Sequence, residues 1–213
     1  MTERIETDPA RLQAINHVAT SIDPAVILPK QVFIGNWCEF LFCESDRVFS
    51  EGFAETVSEL MAAERATACC LVNFDLAPSI EDWKTATIFL DEATTEIEYM
   101  SLLKEGGPSA GWLYAMQRHG CASDMGEWCI YAERMNDIAI VGLRNENGVA
   151  KFSSPLRKLY AHSIRSLLQL GPSSPIPFSN LAEHWKLGLL ENYSHGQIDT
   201  ASTGSPGAGS PTL

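Results

Sequence analysis

Residues 127–144 read EWCIYAERMNDIAIVGLR, two apolar runs joined by a short polar break. Asn136 and Asp137 suit a turn, because their short side chains bond their own backbone. The flanks, Trp128-Cys129-Ile130-Tyr131-Ala132 and Ile138-Ala139-Ile140-Val141-Gly142-Leu143, are aromatic and β-branched, which fits a pleated surface. The stretch predicts a β-hairpin turning at Met135-Asn136-Asp137. Its second arm is apolar without alternation, the pattern of a strand covered on both faces. That makes it an inner strand of a sheet with helices against it.

Working outward, the chain after the hairpin turns at Asn145-Glu146-Asn147-Gly148. Ser154-Pro155 then opens a helix that Gly171-Pro172 stops, with Leu156, Leu159, Tyr160, Ile164, Leu167 and Leu168 as one apolar stripe. A last helix is expected over residues 179–191, carrying Leu181, Trp185, Leu189 and Leu190. Before the hairpin, residues 109–119 read as a short helix with Trp112, Leu113 and Met116 inward and Gly120 at its C-cap. Thr95-Glu96-Ile97-Glu98 is a capping box opening a helix to Lys104, with Ile97, Met100, Leu103 and Tyr99 as its buried candidates. Residues 85–90 have strand composition and predict a strand, although Ser79 and Asp82 have the spacing of a helix start.

Residues 67–74 (TACCLVNF) predict a buried strand ended by Pro78. Residues 49–65 predict a helix whose inner face is Phe53, Val57, Leu60 and Met61, leaving Glu51, Glu55, Glu59 and Glu64 to solvent. Residues 31–43 (QVFIGNWCEFLFC) read as one strand kinked at Gly35-Asn36, or as two strands around that turn, and the kinked strand is preferred. Strand, helix and strand in succession suggest a crossover unit, with an antiparallel arrangement left open. Residues 22–30 form a loop, and Asp8-Pro9 caps a first helix running to about Thr20.

The fold class is α/β or α+β: a mixed sheet of about five strands with helices packed on it. Residues 1–193 form a single globular domain, and residues 194–213 are a low-complexity tail too poor in apolar bulk to offset its ordering entropy. A chain of 213 residues buries roughly 70% of the surface its unfolded form exposes, so it needs no staples. The absence of a long apolar run and of a leader-like N-terminus predicts a cytoplasmic protein. Cys38, Cys43, Cys69, Cys70 and Cys129 lie in apolar runs and read as small buried hydrophobes in a reducing compartment, with adjacent Cys69 and Cys70 facing opposite ways.

The net charge of −12 argues against nucleic acid and would steer a basic partner. Walker, GxGxxG, GxSxG and HExxH signatures are absent, so no cofactor or metal is expected. His119 and Cys121 fall short of the three or four ligands a zinc site wants. A thiol nucleophile would have to pair Cys121 or Cys129 with His119 or His162, and no local feature activates either. Asp91-Glu92 and Glu96/Glu98 read as solvent-facing or capping carboxylates. Arg157, Lys158 and Arg165 form a local basic strip on the exposed side of the helix begun at Ser154, where an acidic partner or a phosphate would fit. Glu127, Trp128, Tyr131, Glu133, Arg134 and Asp137 are the candidate binding residues, because Trp, Tyr and Arg anchor interfaces, although on a strand Trp128 and Tyr131 are more often core. No residue is assigned to catalysis or to a metal.

Through the segment Trp128-Cys129-Ile130-Tyr131 to Leu143, and its acidic, motif-free character, the chain resembles small bacterial toxin-immunity proteins. That resemblance implies a cytosolic binder without catalysis that occludes a basic toxin domain, often a nuclease. No family site transfers residue by residue. The alternatives are an enzyme with an unrecognised pocket at the ends of the sheet, or an adaptor subunit of a larger assembly tethered by the tail.

Overall fold

The computed structural model describes residues 8–76, 82–170 and 181–194. Six strands, β1 (Glu39–Cys43), β2 (Cys69–Asn73), β3 (Thr87–Leu90), β4 (Arg118–Ser123), β5 (Trp128–Glu133) and β6 (Ile138–Leu143), make one sheet. Its order is β1-β6-β5-β4-β2-β3, and every neighbouring pair is antiparallel. The fold is therefore α+β, a sheet with helices packed on it, as expected. The sheet differs from expectation in having no parallel pair. β1 and β2 do run the same way, as the strand–helix–strand reading suggested, but β6, β5 and β4 fill the space between them.

Helices cover both faces. On one lie α1 (Pro9–Ser21), α7 (Ile164–Leu170) and α8 (Glu183–Tyr193), which enclose a core containing Val18, Phe42, Tyr131, Ile140, Leu167 and Tyr193. On the other lie α2 (Phe53–Glu64), α3 (Glu96–Lys104) and α6 (Ser153–Lys158), over Phe53, Leu60, Tyr99, Trp128, Val141 and Leu156. Each fully buried large side chain contributes about 1.5–3 kcal/mol by leaving water. Both arms of the predicted hairpin are buried at every position, β5 and β6 alike. The turn between them is a 3-10 turn over Arg134–Asn136, followed by Asp137 in the left-handed region at φ +53°.

Two of the local signals at helix starts hold. Asp8 accepts the Ala10 amide at 3.0 Å to cap α1, and Thr95 and Glu98 complete the capping box of α3. Within α3, Tyr99 and Leu103 are buried, but Ile97, expected inside, is 83% exposed. The cysteines are free thiols; Cys69 belongs to one core and Cys70 to the other, as their alternation requires. Among the described residues no helix is long and apolar enough to cross a membrane.

Three expectations give way to packing. Residues 31–43 hold no continuous kinked strand: Phe33 bridges Ile22, Gly35 turns the chain at φ +83°, and the sheet strand starts at Glu39. Residues 109–119 are not one helix. A short α4 (Gly107–Ala110) and a 3-10 turn (Trp112–Tyr114) lead into β4, so Gly120 sits mid-strand rather than at a C-cap. A Cβ there would lie 2.5 Å from the Phe74 ring and 2.8 Å from Val18, so β4 is small-residued because α1 lies directly on it.

The helix predicted from Ser154 also breaks. The short α5 (Gly148–Lys151) precedes α6, which ends in a 6→1 and 5→2 pair of bonds, Ala161 N to Leu156 O and Tyr160 N to Arg157 O. Tyr160 occupies the left-handed position at φ +53° that glycine usually takes. The chain then passes around the edge of the sheet, where His162 bridges Phe42, and α7 begins on the opposite face. The stripe is real but serves two cores: Leu156 and Leu159 face one, Ile164 and Leu167 the other. Ser154 caps nothing here; its hydroxyl donates to Glu59. The expected start of the last helix at residue 179, the Pro78 stop, Ser79 and the tail beyond 194 lie outside the described residues.

Candidate functional site

The six candidate binding residues do not form one surface. Strand alternation sends residues three apart to opposite faces, so Trp128 and Tyr131 enter different cores, and both are fully buried. Neither can offer itself to a partner. At a rise of about 3.3 Å per residue, the start and tip of β5 are also ~15–20 Å apart. Glu127, at the start, bonds Lys151 at 2.6 Å and Asn145 at 3.0 Å. Glu133, Arg134 and Asp137 are at the tip.

The tip is where the chain gathers its loops. Glu133 is buried and accepts the Leu28 amide at 3.2 Å, the Tyr131 hydroxyl at 2.8 Å and a donor from Asn136, fastening the loop after α1. Arg134 turns inward. It donates to the carbonyls of Trp112, Leu113 and Ala115 at 2.7–3.1 Å and to Asp46 at 3.1 Å, with its guanidinium 4.5 Å from the Phe49 ring centre. Asp137 accepts the Ser45 hydroxyl at 3.2 Å. Arg118, one strand over, donates from Nε and Nη2 to one oxygen of Asp75 and from Nη1 to the Pro24 carbonyl.

With those arginines committed, large apolar groups face outward at this end of the sheet. Met135 on the turn is 75% exposed, and Met116 before β4 is 57% exposed, not inward as a helical reading had it. Register places them together, since Arg118 pairs with Glu133 and the Arg134 amide donates to the Gln117 carbonyl. Tyr114, Leu76 and Ile27 are each about half exposed on the loops tied to the same end by Arg134, Asn73 and Glu133. Asp46 stands beside them with its side chain largely in water. Several large apolar groups exposed at one end of a sheet are a feature that can mark an interface. Only Met135 lay inside the hairpin read as decisive, and its exposed neighbours come from loops whose convergence no local pattern reveals.

The groups that resemble chemistry are inside. His119 is fully buried against Phe49 and Trp112, its ring nitrogens without a hydrogen-bond partner. Burial first, and Arg134 second, push it down to about 3; the Gln117 backbone, out of bonding geometry, offsets little. It is a neutral core residue. Cys121 shares its strand face and meets Cys69, Sγ to Sγ 3.4 Å. Cys129 lies on the opposite face, its thiol raised by burial and so far from a nucleophile. His162 is on the outer edge of β1. Among the described residues no three His, Cys, Asp or Glu converge as metal ligands. Asp91 caps its own turn through Ala93 and Thr94, and Glu96 caps α2 by accepting the Glu55 amide at 2.9 Å.

One carboxylate expected in solvent is buried. Glu64, the last residue of α2, is 4% exposed, takes a donor from Ser123 and accepts the Glu127 amide at 3.1 Å. Burial raises it to about 7, against the pull of those two bonds. The same Ser123 hydroxyl accepts the amides of Met125 and Gly126, so Glu64 fixes the β4–β5 turn to α2.

Compared with models of known families, with curated proteins and with solved structures, the chain matches none.

Proposed function

We propose that this protein is a cytoplasmic protein-binding inhibitor, an immunity protein of the kind that neutralises a bacterial toxin by occluding its active surface. The tip of the sheet is its docking end. The observation that supports this most is the exposure of Met116, Met135, Tyr114, Leu76 and Ile27 at one end of the sheet, with the local arginines turned onto carbonyls and onto Asp46 and Asp75. A Met-rich patch adapts to a partner's pocket, and the acidity of the chain as a whole favours a basic one. The chain-wide charge of −12 accelerates such an encounter at low salt. Because the anchors sit on loops pinned by Arg134 and Glu133, the surface is ordered before binding, which lowers the entropy lost on association.

Co-purification with the basic protein encoded by the neighbouring gene tests the proposal. A nanomolar complex is expected, weakening as salt rises past about 0.15 M, where the Debye length falls to about 8 Å. A neighbour that fails to bind at low salt would overturn it.

A further inference from the structure

The basic strip foreseen on one helix is divided by the break at Tyr160, and two of its members meet a third cation elsewhere. Arg157 and Lys158 at the end of α6 face Arg47 across a cleft of about 530 Å³ that begins at Ser50 and Gly52, before α2. Three cations share this wall in a chain where acids outnumber bases 27 to 15. Most acids nearby are engaged: Lys158 is held by Glu55 at 2.8 Å and Glu59 at 2.7 Å. Arg47 holds Glu44 at 3.2 Å. Glu51, which also lines the cleft, is exposed.

Arg157 differs. Its Nε donates to the Ser153 carbonyl at 3.3 Å, and among the described residues no carboxylate lies within ion-pair distance of its guanidinium. Arg157 lines the cleft with the two terminal amino groups of its planar fork held by no carboxylate among the described residues, although its charge also acts on Glu59, and such a fork matches a phosphate in bidentate fashion. Tyr160 supplies the second sign. It holds a left-handed position where glycine is favoured, yet the residue is 55% exposed, lines the cleft and carries the Arg47 guanidinium 4.5 Å from its ring centre. That stack holds Arg47 beside the opening. The α2 amide of Glu55 is already taken by Glu96.

We propose that this cleft binds a phosphate-bearing small molecule, with Arg47 and Arg157 on the phosphate, Lys158 in support, and Tyr160 against the organic part. The volume suits a compact ligand.

The test is a ¹H–¹⁵N titration of the full chain with inorganic phosphate and with phenyl phosphate, ionic strength held constant with chloride. Saturable shifts confined to residues 47–56 and 154–160 are expected, with a dissociation constant in roughly the millimolar range for such a shallow site. Phenyl phosphate should bind about threefold more tightly than phosphate through its ring. Arg157→Gln should weaken both at least about fivefold, the loss of one charge-assisted fork, while leaving the remaining spectrum, and so the fold, unchanged. Non-saturating or scattered shifts would overturn the proposal, as would an Arg47→Gln/Arg157→Gln double variant that binds like the parent. None of these readouts depends on the docking partner.

Discussion

Glu64 and His119 give the stability of this protein an unusual pH dependence that one substitution separates. A carboxyl raised to about 7 from 4.5 keeps its proton in the folded chain where the unfolded chain has lost it. Folding stability therefore falls as pH rises from 4.5 to about 7, and the loss is complete above that. Across that interval, at about 1.4 kcal/mol per pH unit, the upper bound is ~3 kcal/mol. Relaxation around a carboxylate that retains two hydrogen bonds brings the expected figure to about 2 kcal/mol. His119 acts oppositely. Lowered to about 3 from 6.5, it resists a proton that the unfolded chain accepts, so stability is lost as pH falls from 6.5. The two windows overlap between 4.5 and 6.5 and flatten each other there.

Glu64→Gln cannot ionise; its one carbonyl oxygen can accept the Glu127 amide while its NH2 group faces the Ser123 hydroxyl. Urea unfolding followed by tryptophan fluorescence, on parent and variant from about pH 4 to about pH 8, reads the difference directly. The stability of Glu64→Gln relative to the parent should rise by about 2 kcal/mol across that range. The variant alone should show the uncovered His119 slope, gaining stability up to pH 6.5. A relative stability that stays flat or falls with pH would mean Glu64 titrates as an ordinary carboxylate, and the reasoning from its burial would fail.

Three further outcomes follow from the same packing. Gly120→Ala should destabilise by about 1–3 kcal/mol in chemical unfolding, because its Cβ meets Phe74 and Val18; a neutral result would deny the close seat of α1 on β4. Arg134→Met leaves the carbonyls of Trp112, Leu113 and Ala115 without their donor. That should cost about 2–4 kcal/mol and speed amide exchange over residues 112–117, and unchanged exchange would show that the loop is held otherwise. Asp8→Ala should lose about 1 kcal/mol of the first helix's cap by thermal melting, whereas an unaltered melt would leave that hydrogen bond without weight.

What was legible in the sequence was what local chemistry determines. The turn at Asn136-Asp137, the caps at Asp8 and Thr95, and the unbroken apolar run 138–143 each specify their structure within a few residues. Where the outcome depends on what packs above, pattern failed. Residues 118–123 (RHGCAS) carry poor strand formers because α1 demands Gly120 and Ala122 beneath it, so the strand looked like the end of a helix. The 154–170 stripe kept helical spacing across a change of layer, since a left-handed Tyr160 leaves no glycine to mark it. Glu64 sat at a polar position of its helix and was read as solvated, but its partners Ser123 and Glu127 are about sixty residues away. Of the candidate site, the hairpin tip was in view, and of the two roles open to Trp128 and Tyr131 their burial bears out the core one rather than the interface one. Interface residue types on an inner strand are core residues, and their spacing of three already placed them on opposite faces.

The claim that the tip of the sheet is a docking end is tested most directly by hydrogen–deuterium exchange on the chain alone and with its basic neighbour bound. New protection concentrated at residues 27–28, 76, 114–117 and 134–137 is expected, and Met116→Glu/Met135→Glu should abolish it together with at least about 2 kcal/mol of affinity. Protection elsewhere on the surface, with binding indifferent to both methionines, would contradict it.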